Sequence, residues 1–125
     1  GMARARRVVF HRALDDYVSR GGPVPTQLEI DGDIFEPWTH DGVRVPHTLT
    51  VGGDATIPCV SAASIMAKTT RDAQVLALCD AHPELQEHYD LRANKGYLSY
   101  RHIDGLKIHG RSRWHRQSFH IRALD

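Results

Sequence analysis

The feature that most constrains the fold is a long helical pattern from Val60 to about His82. Alanine, methionine, leucine and lysine dominate this stretch, and all four favour helices. Pro83 is predicted to end the helix, because proline cannot donate a hydrogen bond inside one. A chain of 125 residues has room for one core of full size, so we expect a single domain over residues 1–125. Apolar surface for packing comes from Ile65, Met66, Val75, Leu76 and Leu78, with Ile65 and Leu76 expected in the core.

Shorter patterns on both sides of this helix complete a mixed helix and strand order. Apolar residues recur at helical spacing before Gly21-Gly22-Pro23, and period-two alternation precedes Asp31-Gly32. The order predicts an α/β or α+β layer arrangement. The predicted elements are a helix over 3–19 (with Val8, Val9, Ala13, Leu14 and Tyr17 as its apolar residues), a strand over 26–31, a hairpin of 34–38 with 43–51 around Thr39-His40-Asp41-Gly42, and, after Pro83, a loop through Asn94-Lys95-Gly96-Tyr97, a helix over 100–109 capped by Ser99 and Gly110, and an irregular basic tail.

Several classes of protein are disfavoured by the composition. No apolar run reaches the roughly 20 residues that span a bilayer, and no apolar stretch follows the basic N-terminus as in a secretory signal. Cys59 and Cys79 are too few for a disulfide framework. We therefore expect a cytoplasmic protein with reduced thiols and no membrane contact.

Charge is segregated along the chain although the net charge is only +1. Residues 21–91 carry eleven acidic residues against three basic ones, and residues 92–122 carry eight Lys or Arg against Asp104 alone. Such a bias is typical of a solvated surface or of a surface that binds a polyanion, and both interpretations stay open. A metal-dependent nuclease needs this combination, because carboxylates hold cations while Lys and Arg hold phosphates.

Asp31 and Asp54 are the acidic residues with the most specific setting. Each lies at the end of a predicted strand and beside glycine, which lets the backbone turn sharply and leaves space for a ligand. Two such carboxylates on neighbouring strands would form half of a Mg²⁺ or Mn²⁺ site. Asp-Gly is also a common turn pair, and from the pattern alone the turn is the more frequent explanation.

Five segments resemble ribonuclease HII, the type 2 ribonuclease H, in order and spacing. The central one runs from Gly52 to Asp72, where Gly-Asp precedes an Ala-Ala-Ser-Ile-x-Ala-Lys helix that continues into Arg-Asp. Together they cover nearly the whole chain, which makes the resemblance more specific than any single motif. The other four are the helix over 7–17, Leu28-Glu29-Ile30-Asp31-Gly32, Asn94-Lys95-Gly96-Tyr97 with His102 after it, and His115-Arg116-Gln117-Ser118-Phe119.

The resemblance implies a ribonuclease H-like fold, a mixed sheet with helices on its faces. It implies a two-metal endonuclease that cuts the RNA strand of RNA–DNA hybrids, 5′ of ribonucleotides, including ribonucleotides embedded in DNA. Asp31 and Asp54 then correspond to the third and fourth carboxylates of the site, with Mg²⁺ or Mn²⁺ as the metal. They would be both its catalytic residues and its metal ligands in this chain.

The resemblance also implies roles outside the carboxylates. Tyr97 matches the tyrosine that senses the ribonucleotide 2′-hydroxyl, and otherwise it is an aromatic that packs after a turn. Asp72 and Lys68 would lie beside the site, and otherwise they are charges on a helix surface. Three residues are candidate contacts to the nucleic-acid backbone, unless they only solvate the surface: Lys95, His115 and Arg116.

One family segment, Asp-Glu-Ala-Gly-Arg-Gly, has no counterpart in this sequence. It holds the first two carboxylates and accompanies the first strands of the sheet. We therefore expect an incomplete fold, weak metal binding and no activity of the chain alone. Open strand edges would favour a homo-oligomer or a complementing N-terminal chain. Two other hypotheses are a non-catalytic nucleic-acid-binding module and a structural remnant of the family.

Overall fold

The computed structural model describes residues 2–125, with the backbone alone for Met2 and Ala3. It is a mixed α/β structure, as predicted, and the described residues form a small parallel sheet and a short antiparallel one. Two compact units divide within the third helix, between Ile65 and Met66. The elements are α1 Met2–Ser19, β1 Leu28–Asp31, β2 Thr39–His40, β3 Val43–Arg44, β4 His47–Thr50, α2 Gly53–Thr56, α3 Pro58–Ala81, α4 Pro83–Tyr89, α5 Leu91–Asn94 and α6 Tyr100–His109.

The first unit is organised around two parallel strands, β1 and β4. Leu28 pairs with His47 at one end of the register and Asp31 with Thr50 at the other. Helix α1 begins one residue before the predicted range of 3–19 and ends where predicted, but four of its five predicted apolar residues are exposed: Val8, Val9, Ala13 and Tyr17. Its packed face is instead Phe10, Leu14 and Val18, which are spaced four residues apart. These side chains cover a buried cluster of Leu28, Ile30, Phe35, Trp38 and Val45.

The predicted hairpin is correct at its turn and wrong in its length. Asp41 and Gly42 both have positive φ, 48° and 77°, as the tightest hairpin turns require. The strands on either side are only two residues long, and residues 34–38 form no strand. Pro46 interrupts the second predicted strand because proline has no amide hydrogen to donate. The chain resumes as β4 beside β1, where Leu28 donates to the Pro46 carbonyl at 2.9 Å.

The second unit packs α4 and α6 against the later part of α3. Helix α3 has nearly the predicted bounds, but Ile65 and Met66 are exposed rather than packed. Pro83 does not begin a loop: it occupies the first turn of α4, where its missing amide hydrogen costs nothing. The buried cluster consists of Val75, Cys79, Leu85, Tyr89, Leu91, Leu106 and Ile121.

Helix α6 has the predicted caps. The Ser99 hydroxyl accepts a hydrogen bond from the His102 amide at 3.2 Å, and Gly110 ends the helix with φ of 74°. Residues 111–125 contain no helix or strand, as predicted, and are held by side chains. Arg111 donates to the Asp125 carboxylate at 2.8 Å, while Ile121 is buried in the core.

Two further predictions concern the chain as a whole. Cys59 is exposed, Cys79 is buried, and neither forms a disulfide. Among residues 2–125, no helix combines the length and the apolar character needed to cross a lipid bilayer. The single domain over residues 1–125 stays a prediction.

Candidate functional site

Asp31 is the last residue of β1, at the C-terminal end of the parallel pair. Its Oδ1 accepts a hydrogen bond from the Gly53 amide at 3.0 Å. The side chain is otherwise open to solvent, since Asp31 is an exposed residue. The carboxylate therefore has one fixed partner and can still accept further ligands.

Asp54 lies beside that contact, although not at a strand end as predicted. Strand β4 ends at Thr50, and Gly52 turns the chain in the left-handed region with φ of 70°. Asp54 is then an exposed residue in the first turn of α2. Because parallel strands have their C-terminal ends at the same edge, Asp31 and the Gly53-Asp54 segment meet there.

The two carboxylates fit part of a magnesium or manganese site. Exposed carboxylate oxygens are the donors these cations prefer, and both ions tolerate a shell completed by water. Within residues 2–125, however, no three His, Cys, Asp or Glu side chains converge as metal ligands do. By themselves, Asp31 and Asp54 do not make up such a set.

The six other predicted site residues belong to the second unit. Lys68 is exposed and Asp72 half-buried, one turn apart on α3. From the same helix, Arg71 donates from Nη1 to the Lys95 carbonyl at 3.4 Å, and its Nη2 lies against Gly96. A Cβ at Gly96 would lie 3.1 Å from that nitrogen. The guanidinium thus packs against the loop that carries Lys95.

The loop from Asn94 to Tyr97 is held by its own polar groups. The Asn94 side chain donates to the Tyr89 carbonyl at 2.7 Å and accepts from the Gly96 amide at 2.8 Å. Lys95 has φ of 54°, and its ammonium group donates to the Arg92 carbonyl. This backbone presents the Tyr97 side chain outward, 69% exposed and outside the buried cluster.

His115 and Arg116 differ in their surroundings. Arg116 is exposed, while His115 is half-buried with both ring nitrogens engaged. Its Nε2 lies 3.0 Å from Nε2 of His102, and its Nδ1 accepts from the Ser112 amide at 3.0 Å. Burial holds the pKa of His115 below its ordinary value, and the neighbouring His102 and Arg111 act in the same direction.

The second unit contains a cavity of about 340 Å³, which is lined by His115 and Arg116 but not by Lys68, Asp72, Lys95 or Tyr97. Its charged or titratable lining consists of Arg71, His102, Arg111, His115 and Arg116. A basic cavity beside an exposed tyrosine suits contact with a polyanion.

Sequence reasoning assigned no role to three residues that shape this unit: Asn94, His102 and Ser112. Asn94 follows the known preference of asparagine for hydrogen bonds to nearby backbone in turns, so it could have been found. His102 is a histidine at a helix position that is only 2% exposed. Its partner His115 lies in an irregular segment, and no local pattern predicts their contact.

Comparison with known proteins supports the resemblance. The family model for Ribonuclease HII matches residues 7–122. A Ribonuclease HII of Chlorobium luteolum is 36% identical over 121 residues, which cover 97% of this chain and 52% of that protein. Those of Salinibacter ruber and Nitrosospira multiformis are 41% identical over 103 residues and 46% identical over 95. The match with the Salinibacter ruber protein covers 78% of this chain and 46% of that protein. The match with the Nitrosospira multiformis protein covers 76% of this chain and 43% of that protein.

The chain thus spans about half the length of the curated relatives it matches. The matched residues include the β1–β4 pair, the Asp31–Gly53 contact, the Tyr97 loop and helix α6. The small sheet and its helices represent an incomplete ribonuclease H-like α/β fold. This chain belongs to the ribonuclease HII family.

Proposed function

We propose that this chain supplies two metal-binding carboxylates to an endonuclease that hydrolyses the RNA strand of RNA–DNA hybrids, 5′ of ribonucleotides. The observation that carries the proposal is the hydrogen bond from the Gly53 amide to Asp31, at the edge where Asp31 and Asp54 lie. The relatives are named Ribonuclease HII, and the chain matches that family over nearly all its length. A single domain in the cytoplasm is part of the proposal, supported by the two unpaired cysteines.

Asp31 and Asp54 would hold Mg²⁺ or Mn²⁺. When bound, such ions polarise the scissile phosphate and lower the pKa of a coordinated water. With only two protein carboxylates, most of the coordination falls to water, so binding by this chain alone is weak. The chain alone is accordingly inactive, and a complete site needs carboxylates from elsewhere.

Groups of the second unit would hold the nucleic acid. Tyr97 is exposed and can pack against a nucleotide, where the 2′-hydroxyl distinguishes RNA from DNA. Three residues would contact the phosphate backbone: Lys95, His115 and Arg116. Arg116 suits that role best, because it is exposed. From the resemblance to the family, Asp72 and Lys68 on α3 would assist the two carboxylates. The substrate is an RNA–DNA hybrid or DNA with embedded ribonucleotides.

The edges of the small sheet support a need for a partner. Within the described residues, β1 and β4 pair only with each other, so each strand keeps one open edge. We propose that a second copy, or a complementing N-terminal chain, covers them. Size-exclusion chromatography with light scattering tests this, and a stable, well-folded monomer would contradict it.

Metal binding tests the carboxylate assignment directly. Mn²⁺ binding to the purified chain is measured by water-proton relaxation. We expect weak enhancement that is lost in Asp31→Asn and in Asp54→Asn. Asp41→Asn is the matched control, because Asp41 is an exposed aspartate in the hairpin turn and asparagine tolerates its positive φ. Equal binding by all three variants would refute the assignment.

Cleavage of a DNA duplex with a single ribonucleotide, in Mg²⁺ or Mn²⁺, tests the reaction. We expect no cleavage by the chain alone, and cleavage 5′ of the ribonucleotide when an N-terminal segment carrying Asp-Glu-Ala-Gly-Arg-Gly is added. Asp54→Asn should abolish that activity. Complemented activity that survives Asp54→Asn would overturn the proposed role.

A non-catalytic nucleic-acid-binding module is the second candidate. It is favoured by the exposed basic side chains of the second unit together with exposed Tyr97. Its signature is hybrid binding that weakens steeply with salt, without cleavage after complementation. If neither binding nor cleavage is seen, only the structural remnant is left.

A further inference from the structure

Two histidine rings connect α6 to the C-terminal segment. His102 is 2% exposed on α6, and His115 lies in the irregular segment after Gly110. Their Nε2 atoms are 3.0 Å apart. At that distance one nitrogen must donate a hydrogen and the other must accept it.

The neighbours of the two rings allow a single order of protons. Nδ1 of His115 accepts the backbone amide of Ser112 at 3.0 Å, so it carries no hydrogen, and the Ser112 hydroxyl, 2.8 Å away, then donates to the same nitrogen. The neutral ring is then protonated at Nε2 and donates to Nε2 of His102. His102 consequently carries its hydrogen at Nδ1, which faces the Tyr97 carbonyl at 2.9 Å. Three hydrogen bonds thus run in one direction from Ser112 to Tyr97.

An added proton breaks this order. A second hydrogen on His102 would face the Nε2 hydrogen of His115, and one on Nδ1 of His115 would face the Ser112 amide. The rings of Tyr89 and His115 pack in a T-shaped arrangement, with centroids 4.7 Å apart. The charged groups around the pair are cationic: Arg71, Arg111 and Arg116 line the same cavity, and its described lining contains no carboxylate. This environment favours the uncharged His115 ring, in the same direction as the lowered pKa of His115.

We propose that His102 and His115 are positioning residues, a neutral imidazole pair that couples the C-terminal segment to the loop presenting Tyr97. While both rings are neutral, the Tyr97 carbonyl accepts from His102 Nδ1 and from the Ser99 amide, and the Tyr97 amide donates to the Asn94 carbonyl. Protonation of the pair costs one of the three hydrogen bonds and loosens the loop. A looser loop would weaken ribonucleotide recognition by Tyr97 only if the proposed function is correct. The imidazole pair itself does not depend on that function.

Nitrogen NMR of the imidazole rings in the full chain tests the proton order. At about pH 8 we expect His102 as the Nδ1–H tautomer and His115 as the Nε2–H tautomer. Between about pH 8 and about pH 5, His115 should take up a proton later than the exposed His120, because burial lowers the pKa of His115. The opposite tautomer at either ring, or protonation of His115 together with His120, overturns the proposal.

Hydrogen exchange on variants tests the coupling. In His115→Ala, the Tyr97 and Ser99 amides should exchange about tenfold faster, because the support of the loop is lost. His115→Gln keeps a side-chain amide that can donate to His102 and should restore part of the protection. His120→Ala, an exposed histidine of the same segment, should leave these amides unchanged. Unchanged protection in His115→Ala refutes the coupling.

The two proposals fail separately. Wrong tautomers overturn the imidazole pair and leave metal binding and cleavage as they are. Absent Mn²⁺ binding and absent cleavage overturn the proposed function and leave the proton order and the protection of the Tyr97 loop intact.

Discussion

The carboxylate of Asp31 accepts the backbone amide of Gly53 at 3.0 Å, joining residues 22 positions apart. Gly53 is buried, so water cannot readily replace the carboxylate as the acceptor. Asp31 therefore stabilises the edge of the strand pair in addition to its proposed part in holding a metal. The two contributions can be separated by mutation.

Asp31→Ala should lower the free energy of unfolding by about 1–3 kcal/mol, because it leaves the Gly53 amide buried without an acceptor. Asp31→Asn retains a side-chain oxygen at the same place and should cost less than about 1 kcal/mol. Urea denaturation measures both. Asp54→Ala, which removes a neighbouring exposed carboxylate, is the control and should change stability by at most about 0.5 kcal/mol. If Asp31→Ala and Asp31→Asn have the same free energy of unfolding, the hydrogen bond to Gly53 contributes nothing to stability.

Gly105→Ala should disrupt the contact between α4 and α6. A Cβ at Gly105 would lie 1.9 Å from the His88 carbonyl oxygen, which is backbone and cannot move aside alone. The helices must separate, so we expect a loss of about 1–3 kcal/mol or more in unfolding free energy. Thermal and urea unfolding followed by circular dichroism measure the loss.

Gly53→Ala is the matched control for that substitution. A Cβ there meets Thr50 at 3.5 Å and Val60 at 3.6 Å, which are ordinary contact distances. It should therefore cost much less than Gly105→Ala. If both variants lose a similar amount of unfolding free energy, the loss in Gly105→Ala comes from replacing a glycine and not from separating the helices.

The sequence predicted the elements whose signals are local. Helix α6 has a serine cap and a terminal glycine, and α3 is made of strong helix formers, so each could be bounded from its own residues. Helix α4 was missed because Pro83 both stops one helix and begins the next. Its packed residues, Leu85 and Tyr89, belong to the buried cluster of the second unit.

Long-range contacts account for the rest of the differences. The break at Pro46 could be read from the sequence, but the parallel pairing of β4 with β1 could not. The same applies to the site, where glycine neighbours identified Asp31 and Asp54 but gave no sign of the Gly53 bond. The contact of His102 with His115 depends on how an irregular segment folds back, and periodicity carries no information about that.

Asp15→Ala should destabilise the first unit more than Asp16→Ala. The indole of Trp38, which is 2% exposed, donates to Asp15 Oδ1 at 2.9 Å, so removing that carboxylate leaves a buried donor unpaired. Asp16 instead pairs with Arg20 at the surface, and exposed pairs contribute little. We expect a difference of about 1 kcal/mol in urea denaturation followed by tryptophan fluorescence. Equal losses would show that the indole bond does not contribute.

Asp125 should make the C-terminal segment sensitive to acid. Hydrogen bonds from Arg111 and from the Ile121 amide hold the pKa of Asp125 below its ordinary value. Because the folded-state pKa is lowered, the stabilisation by Asp125 is fully present above the unfolded pKa and is lost as pH falls through the folded value.

Urea midpoints between about pH 6 and about pH 2 should therefore fall less steeply in Asp125→Asn than in the parent chain. Arg111→Gln should also make the urea midpoint less dependent on pH in this range. The double variant should show no further decrease in pH dependence, because the two side chains act through one contact. Additive changes in the double variant would show that Asp125 and Arg111 act independently.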